Sequence, residues 1–193
     1  MDGFKALERP NVAVSPGDRL AVGTLTSAHK PGDVVSLDIK SAKAIKQLTA
    51  VNDDILAGKK LGAVTEMWYT APDGLKIQGW YITPPDFDPA KKYPMQLHIH
   101  GGPHSMYGVG FNYGWQEHAA NGYVILYTNP RGSTGYGSKF GNEIMRAYPS
   151  KDYDDLMAGV DHERASITLF FGTSHRVGLT KNGLAPAPWQ FPA

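Results

Sequence analysis

The segment from Met95 to Gly137 constrains the fold of this chain more than any other part of the sequence. It contains one apolar run that ends in His100-Gly101-Gly102-Pro103 and a second, rich in β-branched and aromatic residues, from Tyr123 to Thr128. Between them, residues 111–121 have a helical pattern that Gly122 is expected to end. Strands that alternate with helices are typical of an α/β sheet, so we expect this fold class from residue 95 onward.

The flanking sequence extends this pattern on both sides. A hairpin is predicted from Glu66 to Ile82, with Asp73-Gly74 as its turn pair. A strand is predicted over residues 93–100, and two helices follow, one over 138–148 and one that begins near Ser150. In the last helix four apolar residues fall on one face, namely Tyr153, Leu156, Met157 and Val160.

The N-terminal region predicts four short strands within residues 11–51. Turns are expected at residues 15–18 and at Pro31-Gly32-Asp33. Four strands in about 40 residues match the period of one β-propeller blade. A single blade cannot bury its own faces, so it needs another surface to lie on.

Composition and charge exclude several classes of partner. Hydrophobic residues make up 41% and charged residues 19% of the 193-residue chain, which is typical of a globular protein. The net charge of +1 gives no electrostatic case for nucleic acid or an anionic membrane, and cysteine is absent. The N-terminal residues lack an apolar signal-peptide core, and residues 123–127 are too few to span a bilayer. We expect no membrane or nucleic-acid partner and a cytoplasmic location, with a secreted or periplasmic parent protein left open.

The His-Gly-Gly sequence after an apolar strand suits a turn that offers backbone N–H groups to a developing oxyanion. Gly101 and Gly102 are therefore the candidate catalytic residues, acting through their amides. Tyr107, Arg131 and Tyr136 are candidate substrate-binding residues. For the tyrosines core packing is the alternative, and for Arg131 the favoured alternative is a structural pair with an acid such as Asp152 or Asp155.

A metal or nucleotide site is disfavoured by the same segment. His98, His100 and His104 could suggest a metal site, but no carboxylate lies among them and the turn explains His100 better. Residues 132–139 resemble a phosphate loop with the lysine and serine in the wrong order. No cofactor or metal is expected.

Four segments in series resemble the prolyl oligopeptidase family of serine peptidases, most closely its acylaminoacyl-peptidase and bacterial dipeptidyl-peptidase branch. They are residues 68–80, 100–103, 129–137 and 151–155. The resemblance implies a terminal β-propeller blade at 1–51, a linker at 52–64, the N-terminal half of an α/β-hydrolase domain at 65–161, and a divergent, partly irregular tail at 162–193. The fold class implied is thus an incomplete α/β-hydrolase sheet preceded by strands that resemble one propeller blade. It also implies hydrolysis of short peptides, with Gly101 and Gly102 at the oxyanion hole.

The nucleophile pattern Gly-x-Ser-x-Gly of that family is absent. Ser174 is the nearest candidate nucleophile, with Gly172 before it but Arg176 where the second glycine belongs. No Asp or Glu follows Glu163, so the order serine, acid, histidine cannot be completed in these 193 residues. We therefore expect a peptidase fragment that is inactive alone. The alternatives are a non-catalytic interaction module, which could self-associate through an exposed sheet edge, and an esterase-like hydrolase.

Overall fold

The computed structural model describes residues 13–14, 19–40, 45–166, 169–170, 179–180 and 183–184. The strands in these ranges are β1 (Ala13–Val14), β2 (Leu20–Ser27), β3 (Lys30–Asp38), β4 (Ile45–Gln47), β5 (Val64–Thr70), β6 (Lys76–Ile82), β7 (Tyr93–His98), β8 (Val124–Asn129), β9 (Leu169–Phe170), β10 (Leu179–Thr180) and β11 (Gly183–Leu184). The helices are α1 (Asp53–Leu56), α2 (Tyr113–Ala120), α3 (Gly137–Asn142) and α4 (Lys151–Ser166).

The N-terminal strands form one antiparallel sheet in the order β1-β2-β3-β4. This confirms the four predicted strands. The turn predicted at residues 31–33 is wrong, because these residues lie within β3 and the chain turns at Ala28 and His29 instead. The Thr26 hydroxyl donates to the Lys30 carbonyl (2.9 Å) across this turn, so the hairpin closes before residue 31.

Asp33 is buried and joins β3 to the segment after β4. Its Oδ1 accepts from the Thr49 hydroxyl (2.8 Å) and the Val51 amide (3.1 Å), and its Oδ2 accepts from Gln47 (3.1 Å). The hydrogen bond from Thr49 is the main reason why the pKa of Asp33 lies below its ordinary range. The carboxylate thus holds this end of the sheet together.

The second sheet has five strands in the order β5-β6-β8-β7-β9. Strand β6 is antiparallel to both of its neighbours, whereas β7, β8 and β9 are parallel. All six residues of β8 are buried, as expected for a central strand covered on both faces. One core cluster includes Leu126 of β8 and Val160 of α4, and the other includes Ile125 and Ala119 of α2.

The helices agree with the sequence pattern in part. The side chain of Asn112 caps α2 by accepting from the Trp115 amide (3.0 Å), and Gly122, with φ of 89°, follows its end as predicted. Helix α3 ends at Asn142, well short of the predicted residue 148, and Arg146 adopts a left-handed φ of 60° that a continuing helix does not allow.

Helix α4 buries Leu156 and Val160, as the predicted apolar stripe requires, together with Asp155 and Glu163. It runs through residue 161, where the predicted hydrolase segment ends. The predicted divergent tail of residues 162–193 lies mostly outside the described residues, which include the end of α4 up to Ser166 and the strands β9, β10 and β11.

The two sheets meet at Gly62. Gln116 of α2 is buried; its Oε1 accepts from the Gly62 amide (2.7 Å) and its Nε2 donates to the Gly62 carbonyl (3.2 Å). The His29 ring donates to the same carbonyl (3.1 Å), and the Phe111 amide donates to the Thr26 hydroxyl (3.2 Å). The hairpin between β2 and β3 therefore contacts both the segment before β5 and the start of α2.

Candidate functional site

The loop from residue 99 to 112 carries the double glycine and lies at the carboxyl end of the parallel strands, where α/β ligand sites gather. Gly101 and Gly102 are exposed, and Gly102 has a φ of 125° that favours glycine. Within the described part of the chain, neither amide donates a hydrogen bond. Two N–H groups are thus left free to bind an acceptor from outside the chain.

His100 anchors the start of this loop. Its Nε2 lies 2.9 Å from the Ser133 hydroxyl, which itself donates to the Pro130 carbonyl (2.7 Å). Because the serine proton is already used, the His100 Nε2–H is the donor in this pair. The ring also contacts Tyr107 edge-on, with centroids 5.0 Å apart. These contacts fix the residue that directly precedes the double glycine.

Two further hydrogen bonds hold the middle of the loop. His104 Nδ1 donates to the Gly132 carbonyl (3.1 Å), and the Thr134 amide donates to the Ser105 carbonyl (2.9 Å). Both partners lie just after β8. The double-glycine turn is therefore bracketed on each side by bonds to residues 132–134.

The segment after β8 is held in turn by Arg131, which is only 2% exposed. Its guanidinium donates two hydrogen bonds to Asp155 (2.8 and 2.7 Å) and two to Asp73 (2.7 and 2.9 Å). The Arg131 amide also donates to Asp155 (2.8 Å), and Lys151 reaches Asp73 (3.0 Å). These hydrogen bonds from Arg131 and Lys151 hold the pKa of Asp73 well below its usual range, and those to the two acids raise the pKa of Arg131.

The pairing of Arg131 with Asp155 confirms the structural role that the sequence favoured. Four of the five guanidinium N–H groups are used by these two carboxylates. A substrate-binding role for Arg131 stays a prediction, and this geometry does not favour it.

The two candidate tyrosines are half-buried beside the loop. Tyr107 is half-buried against Trp115 and Tyr127, with ring centroids 5.3 and 5.6 Å away, and burial raises the pKa of its hydroxyl. The Tyr136 hydroxyl lies between Gln78 and Asn129. The contacts of both are those of core packing, and their substrate-binding role stays a prediction.

The three histidines do not gather around a common point. The Trp115 indole donates to His98 Nδ1 (3.1 Å), His100 binds Ser133 and His104 binds Gly132. Burial, and to a smaller degree the nearby His118, lower the pKa of His98. Among the described residues there is no group of three His, Cys, Asp or Glu side chains that could hold a metal ion, and no helix long and apolar enough to cross a bilayer.

Ser174, the candidate nucleophile, lies outside the described residues. The described part of its neighbourhood is β9, which precedes it and pairs in parallel with the start of β7. The sequence analysis missed Asp73, Asn129 and Ser133, each of which has a hydrogen-bond partner at least 22 positions away in the sequence. The one available signal for the role of Asp73 was Arg131, since a buried guanidinium can pair with two carboxylates.

The strand order, with one antiparallel strand among parallel ones, defines an incomplete α/β-hydrolase sheet, preceded by strands that resemble one propeller blade. Residues 110–179 match the pattern described as the prolyl oligopeptidase family. The chain belongs to the prolyl oligopeptidase family. The matched range passes residue 161, where the resemblance in the sequence was expected to end.

Several individual proteins are similar to this chain. The uncharacterized peptidase YuxL of Bacillus subtilis is 37% identical over 149 residues, which are 77% of this chain and 22% of that protein. Dipeptidyl-peptidase 5 of Schizosaccharomyces pombe is 31% identical over 118 residues, 58% of this chain and 17% of that protein. The chain therefore spans about a fifth of the length of the curated relatives it matches.

Solved structures show the same fold. The acylaminoacyl peptidase of Pyrococcus horikoshii superimposes with a TM-score of 0.74 at 27% identity, covering 86% of this chain and 25% of that one. An acylaminoacyl peptidase in complex with Z-Gly-Gly-Phe-chloromethyl ketone gives the same TM-score and identity, covering 85% of this chain and 25% of that one.

Proposed function

We propose that residues 65–161 form the oxyanion-binding side of a serine peptidase site that hydrolyses short peptides. The observation that carries this proposal is the pair of free amides at Gly101 and Gly102, held in a loop that is fixed on both sides. In acyl transfer such amides stabilise the negative oxygen of the tetrahedral intermediate. The names of the relatives and the peptide inhibitor bound to one neighbour support peptides as the substrate class.

The 193-residue polypeptide by itself is proposed to be inactive. Hydrolysis by this mechanism needs a serine, a histidine that accepts its proton and an acid that orients the histidine. No acid follows Glu163, and Ser174 has Arg176 in place of the glycine that a sharp nucleophile turn requires.

The inactivity is tested with a fluorophosphonate probe and the purified chain. We expect no labelling and no hydrolysis of a peptide anilide above the buffer rate, in the chain and in Ser174→Ala alike. Labelling that disappears in Ser174→Ala would show that the serine is activated and would overturn this part of the proposal. Hydrolysis of an activated ester without peptide hydrolysis would favour the esterase alternative.

The oxyanion role is tested in a chimera in which residues 65–161 replace the matching segment of the Bacillus relative. We expect the chimera to react with the probe, and Gly101→Pro, which removes the N–H, to slow the reaction about a hundredfold. Gly101→Ala is the matched control: it keeps the N–H, and its added methyl group meets nothing within 4 Å. Equal rates for the proline and alanine variants would contradict the role of this amide.

A second candidate function is self-association as a non-catalytic module. Among the described strands, β5 pairs only with β6 and leaves one edge open, and the four-stranded sheet exposes apolar side chains such as Val14, Ile39 and Ile45. Light scattering during size exclusion tests this candidate. A monomer at all concentrations would count against it, whereas a discrete oligomer would favour it.

A further inference from the structure

We propose that Tyr136 and Gln78 are positioning residues for the oxyanion turn, and that they act through Asn129. The inference rests on the proposed function and adds to it a row of hydrogen-bonded side chains, formed by Glu66, Gln78, Tyr136 and Asn129. These residues lie on other strands and on another loop than the double glycine. None of these side chains touches the reacting atoms.

The row begins in the five-stranded sheet. Gln78 of β6 and Asn129 of β8 are directly opposite each other in the ladder between these strands. The Tyr136 hydroxyl joins their side chains, since it donates to Gln78 Oε1 (2.5 Å) and accepts from Asn129 Nδ2 (2.7 Å). One phenol therefore fixes two amide side chains at the end of the sheet.

Asn129 carries the row into the loop. Its Oδ1 accepts from the Tyr107 amide (2.8 Å) and its Nδ2 donates to the Tyr107 carbonyl (3.0 Å), so both backbone groups of Tyr107 are held by one side chain. Asn129 is fully buried. The Tyr107 ring packs on His100, the residue before the double glycine. A rotation of the Asn129 amide would therefore release the loop next to the turn.

Glu66, at the end of the row away from the loop, fixes which groups donate and which accept along it. Glu66 Oε1 accepts from Gln78 Nε2 (2.7 Å) and from the Trp68 indole (2.9 Å). Because a carboxylate accepts only, the Gln78 amide must present its oxygen to Tyr136. Burial raises the pKa of Tyr136, with a smaller contribution from the charge of Glu66, so the hydroxyl keeps its proton as a donor.

Tyr136→Phe isolates the hydroxyl, because the ring keeps its contact with Phe140 at 4.9 Å. The variant leaves Gln78 and Asn129 each without one buried partner. Hydrogen exchange of the full chain, followed by mass spectrometry, is the readout. We expect the hydrogen-bonded amides within residues 99–112, above all that of Tyr107, to exchange about tenfold faster, as for the loss of one buried hydrogen bond. The matched control is Tyr113→Phe, at a tyrosine that is 60% exposed.

A second variant tests whether the row acts as one unit. Gln78→Met keeps the length of the side chain and removes the acceptor, and we expect it to accelerate exchange in residues 99–112 to the same extent. The double variant should add nothing further, because both changes break one connected row. Additive effects, exchange equal to that of Tyr113→Phe, or a uniform increase over the whole chain would each overturn the proposal. Exchange needs no turnover, so this result is independent of whether the chimera reacts with the probe.

Discussion

At the scale of single residues, Arg131 and Asp155 depend on each other because both are buried, at 2% and 0% exposure. We expect Arg131→Met to cost about 3–5 kcal/mol in the free energy of unfolding, because it leaves the Asp155 carboxylate uncompensated in the interior. Urea unfolding measures this loss. The double variant Arg131→Met/Asp155→Leu should recover part of it, since no unpaired charge then remains.

Lys151→Met is the comparison for this pair. Lys151 is exposed and shares Asp73 with Arg131, so its removal should change stability little. A loss as large as that of Arg131→Met would mean that the surface part of the cluster, and not the buried pair, stabilises the fold.

The sequence could predict an acid partner for Arg131 but not the arrangement of the cluster. Asp155 was one of the two acids named as candidate partners. Asp73 is 58 positions from Arg131 and reads as an ordinary turn residue beside Gly74. Sequence separation also explains why the double-glycine turn was predicted from a local motif, whereas the bonds that hold His100 and Tyr107, to residues 33 and 22 positions away, were not.

At the scale of elements, the pattern of apolar residues predicted the strands and helices that depend on local sequence. The run of β-branched and aromatic residues in β8 gave a buried central strand, and the Leu156 and Val160 stripe gave the buried face of α4. Prediction failed where a tertiary contact decides the outcome. Pro31 to Asp33 contains turn-forming residues, yet the burial of Asp33 among three hydrogen-bond donors extends β3 across it.

The buried face of α4 ends in Glu163, which makes stability depend on pH. The residue is 1% exposed, its Oε2 has no hydrogen-bond partner among the described residues, and burial raises its pKa from 4.5 to about 7. The folded state therefore holds a proton that the unfolded state has already lost in this interval. Stability should fall as pH rises from about 4.5 to about 7, by at most about 1.4 kcal/mol per pH unit, and stay reduced above it.

Glu163→Gln removes this titration with little change in shape. We expect the variant to be more stable than the parent chain at pH 8, and the difference to vanish near pH 4.5. Urea unfolding at a series of pH values gives the comparison, and Glu143→Gln, at an exposed position of similar chemistry, is the control. A constant difference between parent and Glu163→Gln at all pH values would show that Glu163 does not titrate in this way.

At the scale of the whole molecule, Gly62 connects the two sheets. Its carbonyl accepts from Gln116 and His29, and its amide donates to Gln116. A methyl group at this position would collide with the Thr83 carbonyl oxygen and would lie 2.8 Å from Ile82 Cγ2. The junction therefore has no room for any residue larger than glycine, although its sequence reads only as a linker.

We expect Gly62→Ala to lower the free energy of unfolding by about 1–3 kcal/mol, the usual cost of overpacking. The collision involves a backbone oxygen, so a change of side-chain rotamer cannot relieve it, and the segment must shift away from Gln116. The His29 ring then loses its acceptor, the Gly62 carbonyl. The amides of the hairpin between β2 and β3 should therefore exchange faster than those of β8, which the shift does not reach. Gly114→Ala is the control, because the nearest atom to its added methyl group is 3.6 Å away. Parental stability in Gly62→Ala would show that the two sheets are not joined through this residue.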